Sequence, residues 1–236
     1  MSETGSTAIL RAHELRKNYG KDEGLVRAVD GIDLEVAPGD TVAVMGPSGC
    51  GKSTLLHLLG GLERPTAGEI WLAGRRIDRL GERSLAALRR DGVGFVFQAF
   101  HLLDELTAVE NVELPALLAG SSARGARRRA LGLLEQIGLA DRARYQPAAL
   151  PLANEPLVVL ADEPTGNLDS SATLDVLRLF DSLHEAGQTL VVVTHDTRIA
   201  ATADRMITMR DGAFVEETRL TGGTTGHLAA LAGLDG

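Results

Sequence analysis

The feature that most constrains this chain is a glycine-rich run between an apolar strand and a helix. Residues 46–53 read Gly-Pro-Ser-Gly-Cys-Gly-Lys-Ser, which fits the pattern G-x-x-x-x-G-K-[ST]. The preceding residues, 41–45, form a short apolar run of strand length, and the four leucines in 55–59 share one helical face. A strand, a candidate phosphate-binding loop and a helix therefore follow one another, which is the context that gives this pattern meaning.

The loop indicates a site for nucleotide phosphates. Glycines let successive backbone N–H groups converge on phosphate oxygens, and the N-terminus of the following helix adds partial positive charge. Lys52 is placed to reach the β- and γ-phosphates and Ser53 to ligate Mg²⁺, whereas we interpret Cys50 as a small packing residue. The predicted nucleotide-binding residues of the loop are Gly46, Pro47, Ser48, Gly49, Cys50, Gly51, Lys52, Ser53 and Thr54.

The composition narrows the class of protein. With 236 residues and 44% hydrophobic content, the chain can bury one substantial core. The net charge of −8 argues against a nucleic-acid partner, because neutralising phosphates requires a basic face. The single cysteine fits a reducing compartment, so we expect a cytoplasmic protein. The longest apolar runs, 157–161 and 190–193, are strand-sized, and residues 1–7 lack the pattern of a secretory signal.

The remaining patterns predict an α/β fold. Early β-rich segments lie at 8–15 and 26–36, with a hairpin at 68–77, a strand at 92–98 and another hairpin at 205–216 around Asp211-Gly212. A helical stretch runs from 106 to about 139, with a break at Leu114-Pro115. Strands at 157–161 and 189–194 flank a helix at 170–186, and this strand–helix–strand order predicts a parallel sheet.

Two carboxylates follow one of these buried strands. Asp162 and Glu163 end the apolar run 157–161, and ligand crevices lie at that end of parallel sheets. Asp162 is placed to hold Mg²⁺, directly or through water, and Glu163 to polarise an attacking water molecule. A solvated acidic strand end would look the same in isolation, and the glycine-rich loop favours the functional interpretation.

Three further side chains are candidates on position alone. His195 ends the strand at 189–194, where an imidazole can touch a γ-phosphate, although a lone histidine is usually structural. Gln98 ends the strand at 92–98 with an amide able to bind Mg²⁺ or the attacking water. Tyr19, in a polar loop before the core, could stack on a base or be an ordinary surface tyrosine.

Together these residues resemble the ATP-binding subunits of ABC transporters. They match, in order, the A-loop, P-loop, Q-loop, Walker B, D-loop and H-loop of that family: Tyr19, residues 46–54, Gln98, Asp162-Glu163, Asn167-Leu168-Asp169 and His195. The runs 106–115 and 161–169 look like the branch that serves lipoprotein release, macrolide export and cell-division permeases. The resemblance covers about residues 8–217.

The resemblance implies a P-loop NTPase fold of ABC type. We expect a mostly parallel core sheet, an N-terminal antiparallel β subdomain and a helical subdomain at about 99–152, with a disordered start at 1–7 and a flexible tail at 218–236. ATP and Mg²⁺ are the implied cofactors. Glu163, His195 and Gln98 are the implied catalytic residues, Ser53, Gln98 and Asp162 the metal ligands, and Tyr19 the base-binding residue. In that family two subunits sandwich two ATP molecules and drive a membrane permease from the inner face of the plasma membrane.

The sequence departs from the family at one segment. Members carry a signature segment before Walker B, which is Leu-Ser-Gly-Gly-Gln or a near variant followed by a helix (the signature helix). Residues 146–156 here read Gln-Pro-Ala-Ala-Leu-Pro-Leu-Ala-Asn-Glu-Pro instead. About a dozen residues, one helix of ~18 Å, are missing after Leu150. We therefore expect a reduced helical subdomain and hydrolysis that is impaired or depends on a heterologous partner, since a homodimer lacks the segment at both sites.

Two alternatives stay open on these observations. The chain could be a non-hydrolysing ATP-binding regulatory module, because the same missing segment would serve that role. It could also be an ABC-type DNA-repair or ribosome-associated protein, which only the basic run at 124–129 favours. We interpret that run as the solvated face of a helix, as charge runs usually are.

Overall fold

The structure is a computed structural model that describes residues 8–97, 106–136, 143, 156–166 and 170–220. Some predictions fall outside these ranges and stay predictions: the start at 1–7, Gln98, Asn167-Leu168-Asp169, the segment around Leu150 and the tail beyond 220.

The N-terminal strands form a four-stranded antiparallel sheet, as predicted. Its order is β2 (Val26–Val36), β1 (Leu10–Tyr19), β4 (Ala67–Leu72) and β5 (Arg75–Arg76). The prediction that Tyr19 lies in a loop is wrong, because β1 continues past Leu15 and Tyr19 pairs with Val26. A bulge around Glu14, where φ is +44°, moves the buried alternation from Ala12 to Leu15. The alternation of buried and exposed residues therefore breaks within the strand, and the sequence pattern predicts only its first half.

The second sheet has six strands and is mostly parallel, as predicted. Its order is β10 (Ala213–Arg219), β9 (Arg205–Arg210), β3 (Thr41–Met45), β8 (Leu190–Thr194), β7 (Val158–Asp162) and β6 (Val93–Val96). Only β9 and β10 pair antiparallel, as the predicted hairpin. β10 continues to Arg219, past the predicted domain end at 217. The carboxyl ends of β3, β8 and β7 lie side by side and form one edge for a site.

Six α-helices and a short 3-10 helix (Asp22–Gly24) accompany the sheets in the described ranges. The α-helices are α1 (Lys52–Leu59), α2 (Glu82–Gly92), α3 (Ala108–Leu118), α4 (Ala123–Gln136), α5 (Ser170–Glu185) and α6 (Thr197–Ala201). The sequence patterns did not indicate α2, whose buried residues are Leu85 and Gly92, because so little of it is apolar. The predicted break at Leu114-Pro115 is wrong. Pro115 lies inside α3, and hydrogen bonding resumes after it when Ala119 N–H donates to the Pro115 oxygen at 2.9 Å. Among the described helices, none is long and apolar enough to cross a bilayer.

Helix α1 is buried between the two sheets. Its four leucines, Leu55, Leu56, Leu58 and Leu59, are at most 1% exposed and pack in one core with strands of both sheets. Burying a leucine side chain contributes about 1.5–3 kcal/mol. The helix that follows the glycine-rich loop is therefore firmly anchored.

Helices α3 and α4 pack on each other around a separate small core. Its buried members are Val109, Val112, Ala130, Leu134 and Ala143. A capping box starts α3, in which the Glu110 side chain accepts from the Thr107 backbone N–H at 2.8 Å. These helices are the described part of the predicted helical subdomain.

Candidate nucleotide-binding site

The loop between β3 and α1 has two positions at which only glycine fits. A Cβ on Gly46 would lie 2.2 Å from the backbone oxygen of Met209 in β9. At Gly51 φ is +106°, and a Cβ would lie 1.9 Å from the backbone oxygen of Ala28 in β2. Residues 47–49 of the same loop are exposed. Backbone atoms of β9 and β2, which belong to different sheets, thus lie so close to the loop that Gly46 and Gly51 have no room for a side chain.

The turn between β9 and β10 braces the same loop. Gly212 N–H donates to the Cys50 oxygen at 3.0 Å, and the Gly212 oxygen accepts from Asp30 N–H at 2.8 Å. The turn has φ +48° at Asp211 and +81° at Gly212, as a tight hairpin requires. Cys50 is 6% exposed and packs in the main core. The sequence predicts the turn but not its contact with the loop, since Cys50 and Gly212 are far apart in the chain.

Lys52 begins α1, and its ammonium group lies against the glycine-rich loop. Nζ donates to the backbone oxygens of Gly46 at 2.8 Å and Pro47 at 3.2 Å, and it lies 3.7 Å from Oε1 of Glu163. The Lys52 side chain is only 7% exposed. Because a buried ammonium ion needs anionic or dipolar partners, these three contacts hold the positive charge at the loop.

Glu163 directly follows β7 and joins two strand ends. Its Oε2 accepts from the His195 backbone N–H at 3.1 Å and lies 2.8 Å from His195 Nδ1. Its own N–H donates to the Val193 oxygen in β8 at 2.9 Å. Glu163 has φ +45°, a region that non-glycine residues rarely adopt. The neighbouring strand thus holds a strained backbone that places the carboxylate between Lys52 and His195.

Ser53 and Asp162 bring two oxygen ligands together, since Ser53 Oγ donates to Asp162 Oδ1 at 2.9 Å. Burial raises the pKa of Asp162 above its ordinary value, against the opposing effects of the Ser53 hydrogen bond and the charges of His57 and Lys52. Across the described residues there is no cluster of three or more His, Cys, Asp or Glu that could hold a metal. Mg²⁺ needs only one or two protein carboxylates beside phosphate and water oxygens, so this hydroxyl and carboxylate fit it.

Replacing Asp162 with Asn is expected to stabilise the protein at pH 7 without nucleotide or Mg²⁺. Because the folded pKa of Asp162 is raised, its contribution to stability is full below the ordinary pKa and is lost as the pH rises through the folded value. The asparagine side chain stays neutral at every pH, so the variant does not lose this stability as the pH rises. Thermal unfolding should show a midpoint higher by about 2–4 °C, the shift that ~1 kcal/mol produces at this length, and no difference near pH 3.

Asp196→Asn is the matched control with the opposite sign. The hydrogen bond and charge of Arg198 lower the pKa of Asp196 against its partial burial, so its contribution is present at neutral pH and lost as the pH falls. This variant should be less stable than the wild type at pH 7. A destabilised Asp162→Asn protein at pH 7 would contradict the assignment of Asp162 as a carboxylate in need of a cation.

Tyr19 lies at the end of β1 beside the first turn of α1. Its hydroxyl donates to Glu63 Oε2 at 2.6 Å. The nearby Thr54 side chain acts to lower the pKa of Tyr19. Burial and the bond with Glu63 raise the pKa of Tyr19, and the residue is 39% exposed. An aromatic ring thus stands next to the glycine-rich loop, as base stacking requires. No sequence motif includes Glu63, so its contact with Tyr19 could not be predicted from the sequence.

The structure brings five predicted site residues into direct contact: Lys52, Ser53, Asp162, Glu163 and His195. Tyr19 lies near Thr54, the residue that follows Ser53 in the chain. Gln98 lies outside the described residues. The strand before it, β6, ends at Val96, which pairs with Ala161 in β7, so the chain approaches the same edge of the sheet.

Comparison with known proteins identifies the family. The sequence profile of the ABC transporter family matches residues 29–166, more than half of the chain. The chain belongs to the ABC transporter family. An uncharacterized ABC transporter ATP-binding protein of Thermotoga maritima is 45% identical over 216 residues, covering 86% of this chain and 92% of that protein.

Longer relatives carry additional sequence. The macrolide export ATP-binding/permease protein MacB 1/2 of Paracoccus denitrificans is 45% identical over 231 residues, which cover 93% of this chain but 34% of that protein. The MacB protein of Rhodopseudomonas palustris strain BisB18 is 46% identical over 224 residues, again 34% of its length. This chain thus spans about a third of the MacB relatives.

Solved structures agree on the fold. The dimeric structure of MJ0796, a bacterial ABC transporter cassette, matches with a TM-score of 0.82 and 37% identity, over 90% of this chain and 99% of that one. A second dimeric structure of the same cassette, in a post-hydrolysis state bound to ADP and Pi, matches equally well. The predicted ABC-type P-loop fold is confirmed.

The alignments are longer than the part of this chain that they cover. With the P. denitrificans protein, 231 aligned positions cover 93% of 236 residues, which is about 219. With the T. maritima protein, 216 positions cover 86%, which is about 203. In each alignment about a dozen positions therefore have no residue here, the same number that we predict to be missing after Leu150.

Proposed function

We propose that this chain is a nucleotide-binding subunit that couples Mg-ATP binding and hydrolysis to a separate membrane permease. The observation that carries the proposal is the convergence of Lys52, the Ser53–Asp162 pair and the Glu163–His195 pair at the carboxyl ends of three parallel strands. A cation, two oxygen ligands and a carboxylate held by an imidazole are the groups that phosphoryl transfer to water uses.

The residues divide the work of binding. Lys52 and the backbone of residues 46–51 hold the phosphates, and Tyr19 stacks on the base. Ser53 and Asp162 would hold Mg²⁺, with Gln98 as a further ligand. When bound, the ion neutralises charge on the β- and γ-phosphates.

Glu163 is the residue that we assign to the attacking water. Its carboxylate accepts a proton from water as the oxygen attacks the γ-phosphorus in line with the leaving ADP. His195 holds that carboxylate through two contacts of 3.1 and 2.8 Å. Its imidazole is largely exposed, so it would be accessible to a bound γ-phosphate. Lys52 moves from Glu163 to the phosphates, which frees the base for water.

Hydrolysis in this proposal depends on a second subunit. The family's head-to-tail dimer places the signature helix of one subunit against the γ-phosphate of the other, and the relative MJ0796 is described as dimeric. A homodimer of this chain lacks that segment at both sites. A heterodimer with a signature-bearing ATPase completes one site, because this chain's Walker residues face the partner's signature.

The permease partner follows from the relatives. The MacB relatives are named ATP-binding/permease proteins, which join the two activities in one chain, whereas the T. maritima ATP-binding protein is almost wholly covered by this chain. We place this chain in the cytoplasm, peripheral on the inner face of the plasma membrane, with no nucleic-acid partner.

Affinity purification from membranes tests the coupling. The tagged chain should retain an integral-membrane permease, and reconstituting the two should change the rate of ATP hydrolysis. A chain that binds Mg-ATP but retains no permease, and whose ATP turnover no membrane fraction alters, would contradict the proposal.

A non-hydrolysing regulatory module is the second candidate, and the missing segment after Leu150 is the observation that favours it. The two candidates differ in one respect. A regulatory module gains no hydrolysis when a signature is supplied by a partner, whereas the proposed subunit does.

A further inference from the structure

Glu63 is the meeting point of three side chains beside the nucleotide site. It lies in the segment between α1 and β4, and its carboxylate lies 3.1 Å from Lys17 Nζ and 3.6 Å from His57 Nδ1 in addition to the 2.6 Å bond from the Tyr19 hydroxyl. Its backbone is tied to α1 as well, because Glu63 N–H donates to the His57 oxygen at 3.2 Å. The cluster thus connects the end of β1 to the helix that begins with Lys52.

The contacts fix the Tyr19 ring from two directions. Its hydroxyl is held at one end by the hydrogen bond to Glu63. Lys17 Nζ lies over the ring, 5.0 Å from its centroid, while also donating to the Arg64 oxygen at 2.9 Å. The hydrogen bond to the hydroxyl and the cation near the ring therefore favour one orientation of the Tyr19 ring.

The charges in the cluster favour an ionised Glu63. Partial burial acts to raise the pKa of Glu63, but the hydrogen bonds from Tyr19 and Lys17 and the charges of Lys17 and His57 outweigh it, so the pKa lies below its ordinary value. The carboxylate is therefore available as an acceptor for the Tyr19 hydroxyl across the physiological range.

We propose that Glu63 is a positioning residue that holds the ring of Tyr19 in place for the nucleotide base. The inference rests on the proposed function, in which Tyr19 stacks on that base. A ring that is already oriented binds the base without an ordering cost, which is the general advantage of preorganisation. The contribution should therefore appear in the affinity for ATP and not in the affinity for its phosphates alone.

Calorimetric binding of Mg-ATP and of Mg-tripolyphosphate, which has no base, separates these effects. Glu63→Ala is expected to weaken Mg-ATP binding about 3- to 10-fold, the cost of ordering one side chain, and to leave tripolyphosphate binding unchanged. Tyr19→Phe, which keeps the ring but loses the hydroxyl, should give a similar loss. The double variant should lose no more than the larger single loss, because both changes break the same contact.

Glu82→Ala is the matched control, since Glu82 pairs with Arg64, the residue next to Glu63, and is 73% exposed. It should leave both affinities unchanged. The ratio of the two affinities is measured on folded protein only, so a modest loss of stability in Glu63→Ala does not obscure it.

Three results would overturn the inference. Glu63→Ala could leave Mg-ATP binding unchanged while Tyr19→Ala weakens it, which rejects the role of Glu63 and leaves the proposed function standing. Glu63→Ala could weaken both ligands equally, which makes Glu63 a structural residue of the loop. Wild-type protein that binds neither ligand would reject the proposed function itself, and the inference with it.

Discussion

Steady-state ATP hydrolysis is expected to rise about 10²- to 10³-fold when the missing segment is restored after Leu150. That range is the usual cost of losing one preorganised set of hydrogen-bond donors to a developing charge. The segment would be taken from the T. maritima relative, whose alignment with this chain has about a dozen extra positions. A homodimer of the restored chain then has a signature helix at both sites, and the rate of phosphate release measures the effect.

The control is an insertion of the same length and composition in scrambled order. It lengthens the chain equally but lacks the Ser-Gly-Gly-Gln order, so it should leave the rate at the low level of the unmodified chain. Rapid hydrolysis by the unmodified chain alone, equal to that of the restored chain, would show that the missing segment is dispensable.

Substituting Glu163 with Gln is expected to reduce hydrolysis by the restored chain about 10²- to 10⁴-fold, the range for removing a general base. Mg-ATP affinity should be kept or increased. The Glu163 carboxylate lies 3.7 Å from Lys52 Nζ, so it would compete with bound phosphates for the ammonium group. The neutral amide of Gln competes less for Lys52. The rate of single-turnover hydrolysis should therefore fall while the equilibrium affinity for Mg-ATP does not weaken.

Glu217→Gln is the control for charge removal. Glu217 pairs with Arg205 at 2.7 Å on the β9–β10 hairpin and is 46% exposed, so its loss should leave both measurements within about twofold. Normal hydrolysis by Glu163→Gln would show that another group activates the water, and the assignment of Glu163 would be wrong.

Local constraints made much of the site predictable. The glycine-rich loop must follow a strand and precede a helix, and Asp162 and Glu163 end an apolar run, so each could be placed from its neighbours in the chain. The parallel order of the strands then brings their carboxyl ends together. The pairing of Ser53 with Asp162, and of Glu163 with His195, is a direct result of that order.

The unpredicted features depend on long-range contacts or on irregular backbone. Glu63 and Gly212 act on Tyr19 and the loop from distant parts of the chain, and no pattern marks them. The bulge at Glu14 interrupts the alternation of β1. The apolar stripe of α2 is short, with Leu85 and Leu88 packed on the core among mostly polar residues. The strained backbone of Glu163 is held by a hydrogen bond to β8. Residues 157–163 alone therefore do not predict it.

The central claim is that this chain carries a competent ATP site that needs only a signature from another subunit. It can be tested by mixing the unmodified chain with the restored chain carrying Glu163→Gln. The first has an intact Glu163 and no signature, and the second has a signature and no base. Each should be nearly inactive alone, and the mixture should hydrolyse ATP about 10²-fold faster than either. A mixture that forms the mixed dimer and stays as inactive as its components would contradict the claim.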